Sequence, residues 1–540
     1  MNERLKLGII SDNDEIFLWQ YRILEELIRT GCSDIVLCIK NNNECLETRD
    51  SHYSIFYSMH EKLDKLIFKS KFDFDHLINI LKNIKGKDII DLADKKINGE
   101  LIQGNLAIFK NYNLDIILDF GRSPINKNLF KVTKYGIITY RIVLVNNSKA
   151  IPSCYWEVVK KMPEIEAVIE LENENSNEEI IIGRTGILPY PNSINVNRNN
   201  IYGLATLMIP RVIAGIYKNG NIFLEELKRN NNKTDEIFAY ANLSYPNSFQ
   251  AFSNLVHLIA GYIFKKLRRK KTERWFLIVT RNNKNKILPV DLGSFTKIKA
   301  PKEKFWADPF IISRNNYHYI FIEEYLVKAC KAHISVLKLD DKFKLLECYK
   351  VLERPYHISY PHIVQVDNSY YMIPETGSNN TIELYKCTQF PYKWEFVMNL
   401  MDHIPARDTT LFFYNDKWWL FTSVVVMNYP TTSFSELFLY YSDNLFSTDW
   451  KSHPKNPIVS DHKLSRSAGN VYVHENKIYR PSQDCSGHYG KALNISCITE
   501  LSQTEYNEVL VKKVEPTLSN RLKGTHTYNF NDEVIVMDAF

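Results

Sequence analysis

The chain has 540 residues, of which 45% are hydrophobic and 24% are charged, so two or more domains with ordinary folded cores are expected. A formal net charge of +6 is small for this length and argues against a dedicated nucleic-acid-binding protein. Nine scattered cysteines without a CxxC pair indicate neither a disulfide framework nor a zinc site, so we expect a reduced protein in the cytoplasm.

Residues 1–230 alternate strand and helix patterns in chain order. The apolar run RLKLGIISD predicts a buried strand, and the helical spacing that follows it predicts a helix that ends at Gly31. The runs DIVLCIK, LDIILDFG and YGIITYRI predict further buried strands, so this region is predicted to be α/β with an open, mostly parallel sheet. Ligands of such sheets bind at the carboxyl ends of the strands. The residues at those ends are Ser11, Asp12, Asp119 and Gly121.

Residues 231–271 are predicted to form a helical basic linker. Residues 248–264 are apolar on nearly every side of a helix, and six of the next seven residues are basic. One interpretation is a helix packed between domains with a solvated charged end. The alternative is a peripheral contact with an anionic membrane surface, which would place the protein at the inner face of the membrane. No run approaches 18 apolar residues, and the start of the chain lacks the apolar stretch of a signal peptide.

The rhythm changes from Trp275 onward, where one pattern occurs five times. Each copy has a polar, Pro or Gly entry, an apolar strand, a turn rich in Asn or Asp, and a second aromatic strand. This repeat favours a five-bladed β-propeller over residues 272–540 rather than a β-sandwich, with the five entries meeting at a central channel. The run RWFLIVTRN is expected to supply the strand that closes the ring with the last blade. The copies begin at Ala307, Tyr360, Arg407, Ser467 and Gly524.

The stretch YGIITYRIVLVNNSKAIPSCYWEV resembles the formyltransferase fold of the methionyl-tRNA and sugar-nucleotide formyltransferases, and the resemblance covers roughly residues 5–215. In that family the strand reads Gly-Ile-Ile-Asn-x-His, and the Asn and His take part in formyl transfer. Here Thr139 stands at the Asn position and Arg141 at the His position. Because a guanidinium does not act as a base near neutral pH, we expect the fold without formyl transfer. The alternative is a formyltransferase of an amino-sugar nucleotide.

The stretches FWADPF, YYMIPETGSNNTIELYK, RDTTLFFYNDKWWLF and RPSQDCSGHYG resemble the propeller domain at the N-terminus of plant glucosamine inositolphosphorylceramide transferases and of many bacterial proteins. The resemblance covers nearly all of residues 272–540. It implies a five-bladed propeller related to the arabinanase and invertase type of glycoside hydrolase. In the plant proteins, sugar transfer is assigned to a separate glycosyltransferase module, so this resemblance alone does not bring the activity with it.

Glycosidic chemistry needs one carboxylate as base or nucleophile and one carboxylic acid for the leaving oxygen, and a third carboxylate can hold their pKa values apart. In the related propellers these groups come from different blades. The resemblance implies Asp308 as base or nucleophile and Asp408 as the tuning carboxylate. Glu375 and Glu436 compete for the role of acid, and Glu375 is favoured because its motif is more distinctive. Each carboxylate has a structural alternative, such as accepting backbone N–H bonds at a strand entry or pairing with Arg407.

Other polar and aromatic side chains are predicted to line the channel and to bind sugar hydroxyls or a phosphate. Trp306 is either a core residue or a stacking platform, and no metal site is predicted from the histidines alone. The predicted substrate-binding residues are Trp306, His362, Arg407, Arg466, Arg480, Gln483, Asp484, Tyr489 and His526.

These features predict an α/β plus all-β protein that acts on an activated or lipid-linked sugar during synthesis of a surface glycan, by glycosyl transfer or hydrolysis in the channel. The alternative is a non-catalytic glycan-binding scaffold that presents substrate to a partner glycosyltransferase. A sugar nucleotide or a lipid-linked glycan is the expected partner, and nucleic acid is not. No GxGxxG motif or phosphate loop occurs, so no cofactor is predicted.

Overall fold

The structure is a computed structural model of the chain. It describes residues 3–40, 54–68, 73–79, 88–91, 96–97, 100–101, 103–121, 125, 127–142, 153–174, 180–231, 246–267, 274–282, 295–428, 433–516 and 522–540. Two compact units are present: the first spans Met1–Arg268, and the second spans Arg269–Asn428 and Ser433–Phe540. The helix predicted within the linker belongs to the first unit.

The first unit combines strands and helices. Its strands are β1 (Leu5–Ser11), β2 (Glu15–Phe17), β3 (Ser33–Lys40), β4 (Leu77–Asn79), β5 (Asp88–Asp91), β6 (Lys96–Ile97), β7 (Glu100–Leu101), β8 (Leu114–Asp119), β9 (Thr133–Ile142), β10 (Ile165–Glu172) and β11 (Ile180–Ile187). Its helices are α1 (Leu18–Thr30), α2 (Ile55–Ile67), α3 (Gln103–Lys110), α4 (Tyr155–Val159), α5 (Ile194–Asn231) and α6 (Ser248–Leu267).

A seven-stranded sheet in the order β11-β10-β9-β8-β1-β3-β5 forms the centre of the first unit. The pairs among β5, β3, β1, β8 and β9 are parallel, whereas β10 and β11 pair in the antiparallel sense. The central strands are apolar along nearly their whole length because helices cover both faces of such sheets. The predicted α/β class and mostly parallel sheet are therefore confirmed.

Two helices of this unit show how glycine sets helix boundaries. Helix α1 ends at Gly31, which has φ 66° and whose N–H donates to the carbonyl of Ile28, as the sequence predicts. Helix α5 is broken at Gly220, where φ is 54° and ψ is −131°. Among the described residues, the stretch Ile194–Lys228 of α5 is long and apolar enough to cross a membrane, but 56% of its most apolar window is buried inside the fold. This burial is typical of a core helix.

The second unit consists of strands. They are β12 (Phe276–Arg281), β13 (Thr296–Ile298), β14 (Lys304–Arg314), β15 (Tyr317–Leu326), β16 (Lys331–Leu339), β17 (Leu345–Leu352), β18 (Ser359–Val366), β19 (Ser369–Glu375), β20 (Thr381–Gln389), β21 (Lys393–Asp402), β22 (Ala406–Tyr414), β23 (Lys417–Asn428), β24 (Ser433–Ser442), β25 (Lys451–Ser452), β26 (Tyr472–His474), β27 (Lys477–Asp484), β28 (Ala492–Leu501), β29 (Tyr506–Val514), β30 (Tyr528–Phe530) and β31 (Val534–Ala539).

These strands form five four-stranded sheets among the described residues, which are the blades of a β-propeller. Blades 1 to 4 are β14–β17, β18–β21, β22–β25 and β26–β29, and each follows chain order. Blade 5 joins both ends of the domain, in the order β13-β12-β31-β30. The predicted closing strand is therefore confirmed, because β12 pairs with β31 over six residues.

Hydrophobic side chains hold neighbouring blades together at all five interfaces. Five core clusters of buried residues each draw side chains from two adjacent blades. The cluster between blades 5 and 1, for example, packs Val536 against Ile320. Because the fifth interface connects the last blade to the first, the ring is closed, and the prediction of five blades is confirmed.

The inner strands of blades 1 to 3 share an irregularity at their starts. A bulge shifts the register in β14, β18 and β22, and the bulged residues Asp308, Tyr360 and Asp408 have φ values of 51°, 44° and 49°. Gly469 takes the same place before β26, with φ 130°. A Cβ at Gly469 would lie 2.0 Å from the carbonyl oxygen of Tyr528, so only glycine fits there. The bulges turn the residues at the strand starts toward one another.

Candidate functional site

In blades 1, 2 and 5, the second strand carries a carboxylate at the point where it lies beside the start of the inner strand. Glu323 on β15 pairs with Ala307, and Glu375 on β19 pairs with Ser359. In blade 5 the backbone N–H of Asp538 donates to the carbonyl of Thr527. The sequence analysis missed Glu323 and Asp538. The signal was present, because the runs FIEEY, MIPET and VMDAF each end a second strand on a carboxylate.

Hydrogen bonds from backbone N–H groups join these carboxylates from blade to blade. Asp538 Oδ2 accepts from the N–H of Asp308 at 3.0 Å, and Asp308 Oδ2 accepts from the N–H of Tyr360 at 3.2 Å. Glu375 Oε2 accepts from the N–H of Asp408 at 3.2 Å. Asp538, Asp308 and Glu375 therefore each bind the bulged residue of the next blade. The charge of Asp408 acts on both Asp308 and Glu375. We call Asp308, Glu323, Glu375, Asp408 and Asp538 the carboxylate cluster.

A buried arginine supplies positive charge to one side of the carboxylate cluster. Arg466 Nε donates to Asp408 Oδ2 at 2.7 Å, and its guanidinium lies 3.9 Å from Glu375 Oε2. Gln483 Nε2 also donates to Asp408 Oδ2, at 3.3 Å. The ring of Tyr489 stacks on the guanidinium at 5.1 Å. The structure thus brings together four residues that the sequence analysis placed in the channel: Asp408, Arg466, Gln483 and Tyr489.

An imidazole supplies positive charge to the other side. His526 Nδ1 lies 2.6 Å from Asp538 Oδ2, and its Nε2 lies 3.8 Å from Asp308 Oδ1. Burial lowers the pKa of His526, but the two carboxylates outweigh burial and the net effect is a raised pKa. The ring stacks on Trp275 with centroids 4.1 Å apart, which fixes its orientation.

Asp308, His526 and Asp538 could also hold a metal ion, since each offers a ligand atom and these atoms lie within 4.8 Å of one another. The sequence analysis predicted no metal site, and it did not anticipate this triad because Asp538 had been overlooked. When its imidazole is protonated, His526 places positive charge beside these two buried carboxylates.

Burial separates the protonation of the carboxylates in the cluster. It raises the pKa of Asp308 to about 6, with His526 opposing and Asp538 adding to the rise. Burial, together with the charge of Asp408, raises the pKa of Glu375 to about 8, against the pull of Arg466 and Arg407. Burial and the neighbouring carboxylates raise the pKa of Glu323 well above its usual value. At neutral pH, Asp308 is therefore mainly ionised, whereas Glu375 is mainly protonated.

The two glutamates are the members of the cluster that solvent reaches most easily. The side chains of Glu375 and Glu323 are 14% and 11% exposed, whereas that of Asp408 is 2% exposed. His357, which the sequence analysis also missed, is 32% exposed and lies with its Nε2 3.6 Å from Glu323 Oε1. Burial and the nearby Arg407 lower the pKa of His357. A ligand from solvent therefore meets the glutamates before it meets the aspartates.

Two of the predicted binding residues belong to the packing of the propeller instead. Trp306 is buried in the core between blades 5 and 1, and its Nε1 donates to Glu324 Oε2 at 2.9 Å, so it offers no stacking platform. His362 is also buried. Its Nε2 accepts from the N–H of Leu411 in the next blade at 3.0 Å, and burial lowers its pKa to about 3. His362 is therefore a neutral link between blades 2 and 3.

Arg480 and Asp484 are likewise engaged elsewhere in blade 4. Arg480 is fully buried and makes a two-pronged pair with Glu508, at 2.8 and 2.6 Å. Asp484 pairs with Lys513 at 2.8 Å, and this lysine contributes to a lowered pKa of the carboxyl. Alternate residues of a strand point to opposite faces, so Gln483 and Asp484 could not both face the cluster.

Glu436, the alternative candidate for the general acid, lies in a different environment from Glu375. Glu436 is buried on β24 and accepts a hydrogen bond from the hydroxyl of Ser460 at 2.6 Å. Glu436 lies on the third strand of blade 3, whereas Glu375 lies on the second strand of blade 2, where it accepts the inter-blade bond from the N–H of Asp408.

In the first unit, the candidate residues of the formyltransferase-like strand and the nearby strand end form hydrogen bonds and an ion pair within the fold. Arg141 Nε lies 3.0 Å from both carboxylate oxygens of the buried Glu170, so the guanidinium is held as an ion pair. The hydroxyl of Tyr140 donates to the carbonyl of Ile201 at 2.7 Å. Asp119 accepts the N–H of Gly121 at 2.9 Å. This strand therefore presents neither the amide nor the imidazole that formyltransferases carry there.

Comparison with known proteins supports the resemblance that the propeller motifs indicate. Residues 285–534 match the family described as glucosamine inositolphosphorylceramide transferase 1, N-terminal. A transferase of that name from Oryza sativa subsp. japonica is 32% identical over 228 residues, which are 42% of this chain and 30% of the rice protein. This chain thus spans about a third of the length of that relative, within the propeller region.

Solved structures similar to each half are also known. A family 117 glycoside hydrolase from Zobellia galactanivorans is 12% identical and covers 49% of this chain and 90% of its own, with a TM-score of 0.33. A phosphoribosylglycinamide formyltransferase from Coxiella burnetii is 11% identical and covers 40% of this chain and 88% of its own, with a TM-score of 0.26.

Proposed function

We propose that the propeller acts on an activated or lipid-linked sugar at the carboxylate cluster, by glycosyl transfer or hydrolysis, during the synthesis of a surface glycan. The observation that carries the proposal is the difference in pKa between two carboxyl groups of the carboxylate cluster, both of which interact with the charge of Asp408. The pKa of Asp308 is about 6 and that of Glu375 is about 8, so one is a base and the other an acid at pH 7. Glycosidic chemistry needs this combination.

In the proposed reaction each carboxyl group has a separate role. Glu375, protonated and reached by solvent, donates its proton to the leaving oxygen. Asp308 is ionised. It either attacks the anomeric carbon as nucleophile or, as base, takes the proton of the water or acceptor hydroxyl that attacks this carbon. Asp408, held by Arg466 at 2.7 Å, keeps a negative charge beside Glu375 and so maintains its raised pKa.

The proposed substrate class rests on the two arginines near Glu375 and on one exposed aromatic ring. Arg466 and Arg407 lie near Glu375, and a guanidinium suits the phosphate of an activated or lipid-linked sugar. Tyr489 is 41% exposed and offers a ring face against which a sugar can stack. The name of the matched family joins an amino sugar with a phosphoinositol lipid. We therefore favour a sugar linked through phosphate to a nucleotide or a lipid.

The experiment that tests this proposal measures turnover of UDP-sugars and of p-nitrophenyl glycosides by the full chain. Glu375→Gln keeps an oxygen that accepts the N–H of Asp408 but removes the proton that the acid donates. We expect this variant to lose at least about 100-fold in kcat, as is typical for a missing general acid. The matched control is Glu353→Gln, an exposed carboxylate of the same propeller, which should leave kcat unchanged.

A second candidate function is a non-catalytic glycan-binding scaffold. It is favoured by the hydrogen bonds of Asp308, whose two oxygens accept from Thr527 Oγ1 at 2.8 Å and from the N–H of Tyr360 at 3.2 Å. A carboxylate with these bonds also has a structural role. Binding of a sugar phosphate by wild type with no turnover of any probe would favour the scaffold and contradict the enzyme.

A further inference from the structure

Helix α6 presents a row of large apolar side chains to solvent. Phe249 is 80% exposed and Phe264 is 64% exposed, values that are rare for phenylalanine in a folded protein. The row advances by alternate steps of three and four residues, so most of it lies along one face of the helix. The exposed apolar residues of α6 are Phe249, Phe252, Val256, Ile259, Tyr262, Ile263 and Phe264.

The opposite face of α6 is packed against the first unit. Ala251, Leu255 and Leu258 are buried, and Asn254 Nδ2 donates to the hydroxyl of Tyr155 at 2.7 Å. Because one face is held by the fold, the helix cannot cross a bilayer while it remains packed. Its exposed face can only lie along a surface.

Helix α2 runs beside α6 and widens the apolar surface. Phe56 meets Phe252 near one end, with ring centroids 5.1 Å apart, and Phe68 meets Tyr262 near the other, at 6.3 Å. The two helices are therefore roughly parallel. Three further apolar side chains of α2 are exposed, and we call the combined exposed residues of both helices the α2–α6 surface. The exposed apolar residues of α2 are Ile55, Met59 and Leu66.

The sequence at the carboxyl end of α6 is basic. The sequence of α6 contains no Asp or Glu, and the run KKLRRKK that begins at Lys265 has six basic residues in seven. Lys62 on α2 is exposed as well. An apolar helix face followed by a basic run matches the interface of an anionic membrane, where apolar side chains enter the acyl boundary and basic ones meet lipid phosphates. A second copy of α6 would offer the basic run no acidic partner.

We propose that the α2–α6 surface binds the face of a bilayer that contains anionic phospholipid, with both helices lying in the plane of the membrane. This inference does not depend on the proposed reaction in the propeller. Its basis is the combination of exposed apolar side chains, the packed opposite face and the basic run.

The test is co-sedimentation of the full chain with vesicles of phosphatidylcholine alone and of phosphatidylcholine mixed with phosphatidylglycerol. We expect binding to the mixed vesicles and release at high salt, because salt screens the basic residues. The double variant Phe249→Gln with Phe264→Gln should reduce the partition coefficient by about tenfold or more. Ile222→Gln is the matched control, since Ile222 is 78% exposed on α5 and should not affect binding.

A charge variant tests the second half of the inference. Replacing Lys265, Lys266, Arg268 and Arg269 with Gln should weaken binding to the mixed vesicles by about tenfold or more. Replacing four exposed lysines elsewhere should not, and the control set is Lys131, Lys161, Lys302 and Lys328.

Three results would overturn the inference. They are failure of wild type to sediment with either vesicle, equal binding to both vesicles, and equal losses in the Phe249→Gln, Phe264→Gln variant and the Ile222→Gln control. A dimer in solution that the double phenylalanine variant abolishes would assign the surface to a second copy instead. Circular dichroism of each variant distinguishes lost binding from lost folding.

Discussion

The two units of this protein balance their buried charges in different ways. In the first unit, Arg141 pairs with Glu170, and Arg198 binds both Glu61 and Asp75, at 2.9 and 2.6 Å. In the propeller, the five carboxylates of the cluster share the basic side chains Arg466, Arg407 and His526. Burial, together with the neighbouring carboxylates, raises the pKa of Asp308 and that of Glu375.

This difference supports the proposed location of the reaction. In the first unit the arginines pair locally with carboxylates, and burial raises the pKa of one separate carboxyl group, Glu157, to about 7. An excess of buried carboxylates costs stability, and such excess is typical of sites that perform acid–base work. Among the described residues, the carboxylate cluster brings several carboxyl groups with raised pKa values together, and this supports our proposal that the reaction occurs in the propeller.

The largest expected effect on stability comes from Arg466→Met. The variant removes the guanidinium that lies 2.7 Å from the buried Asp408, and breaking such a pair costs about 3–5 kcal/mol. Hydrogen exchange of the inner propeller strands measures the loss within the unit that carries it. Arg141→Met is the matched variant in the first unit. Its cost should be smaller because the Arg141 side chain is 29% exposed and solvent compensates in part. An equal loss in both variants would contradict the comparison.

A glycine substitution tests the bulged strand starts. Gly469→Ala forces a Cβ against the carbonyl of Tyr528 at a φ of 130°, so we expect a loss of about 3 kcal/mol. Gly183→Ala in the first unit is the control, because its Cβ would meet only the side chain of Ile169, at 3.3 Å. We expect that control to stay within about 1 kcal/mol of wild type. Chemical denaturation measures both, and a harmless Gly469→Ala would refute the tight approach of blades 4 and 5.

The positive φ of Tyr360 illustrates what the sequence could not reveal. A bulky residue rarely adopts this conformation, and it is held here by three buried contacts. Its hydroxyl lies 2.9 Å from Thr410 Oγ1, accepts from the N–H of Gly469 at 2.8 Å and donates to its carbonyl at 3.2 Å. These partners lie in blades 3 and 4, far from Tyr360 in the sequence, so no local sequence pattern predicts the contacts. The repeated strand pattern is local in the sequence, and it could therefore be predicted.

The candidate site was predictable to a similar, limited extent. Asp308, Glu375 and Asp408 could be chosen because each begins or ends a strand in a repeated motif. Whether a neighbouring residue faces the cluster or the core depends on the bulge, which shifts the alternation of side chains. Trp306 and His362 flank such bulges, and the structure places both in contacts within the core. Arg480 and Asp484 lie on the regular strand β27 and pair with Glu508 and Lys513 instead.

The dependence of stability on pH sharpens the comparison further. The folded pKa of Glu375 is about 8 and lies above the ordinary value of 4.5, so the native state binds more protons than the unfolded state between those pH values. Stability of wild type therefore falls as pH rises through this window. Glu375→Gln cannot ionise, and its stability relative to wild type should rise by up to about 1.4 kcal/mol between pH 6 and pH 7. Urea denaturation at both pH values measures the change.

The control for that experiment is Glu353→Gln, which removes an exposed carboxylate paired with Lys350. Its stability relative to wild type should stay constant between pH 6 and pH 7. A parallel response of the two variants would show that the effect arises from net charge rather than from the buried position of Glu375.

The smallest expected effect concerns the first unit. Incubation of the full chain with 10-formyltetrahydrofolate and amino-sugar nucleotides should give no formylated product, because Arg141 is tied to Glu170 and stays charged. Mass spectrometry of the sugar nucleotides detects any product. A product whose formation depends on Arg141 or Asp119 would move the reaction from the propeller to the first unit.

The most direct test of the central claim is a crystal structure of the protein soaked with UDP-N-acetylglucosamine or with an undecaprenyl-phosphate-linked sugar. The account predicts a sugar ring beside Glu375 and Tyr489, with its phosphate on Arg466. Sugar density at the strand ends of the first unit around Asp119, or an empty carboxylate cluster in crystals where a probe binds elsewhere, would contradict it.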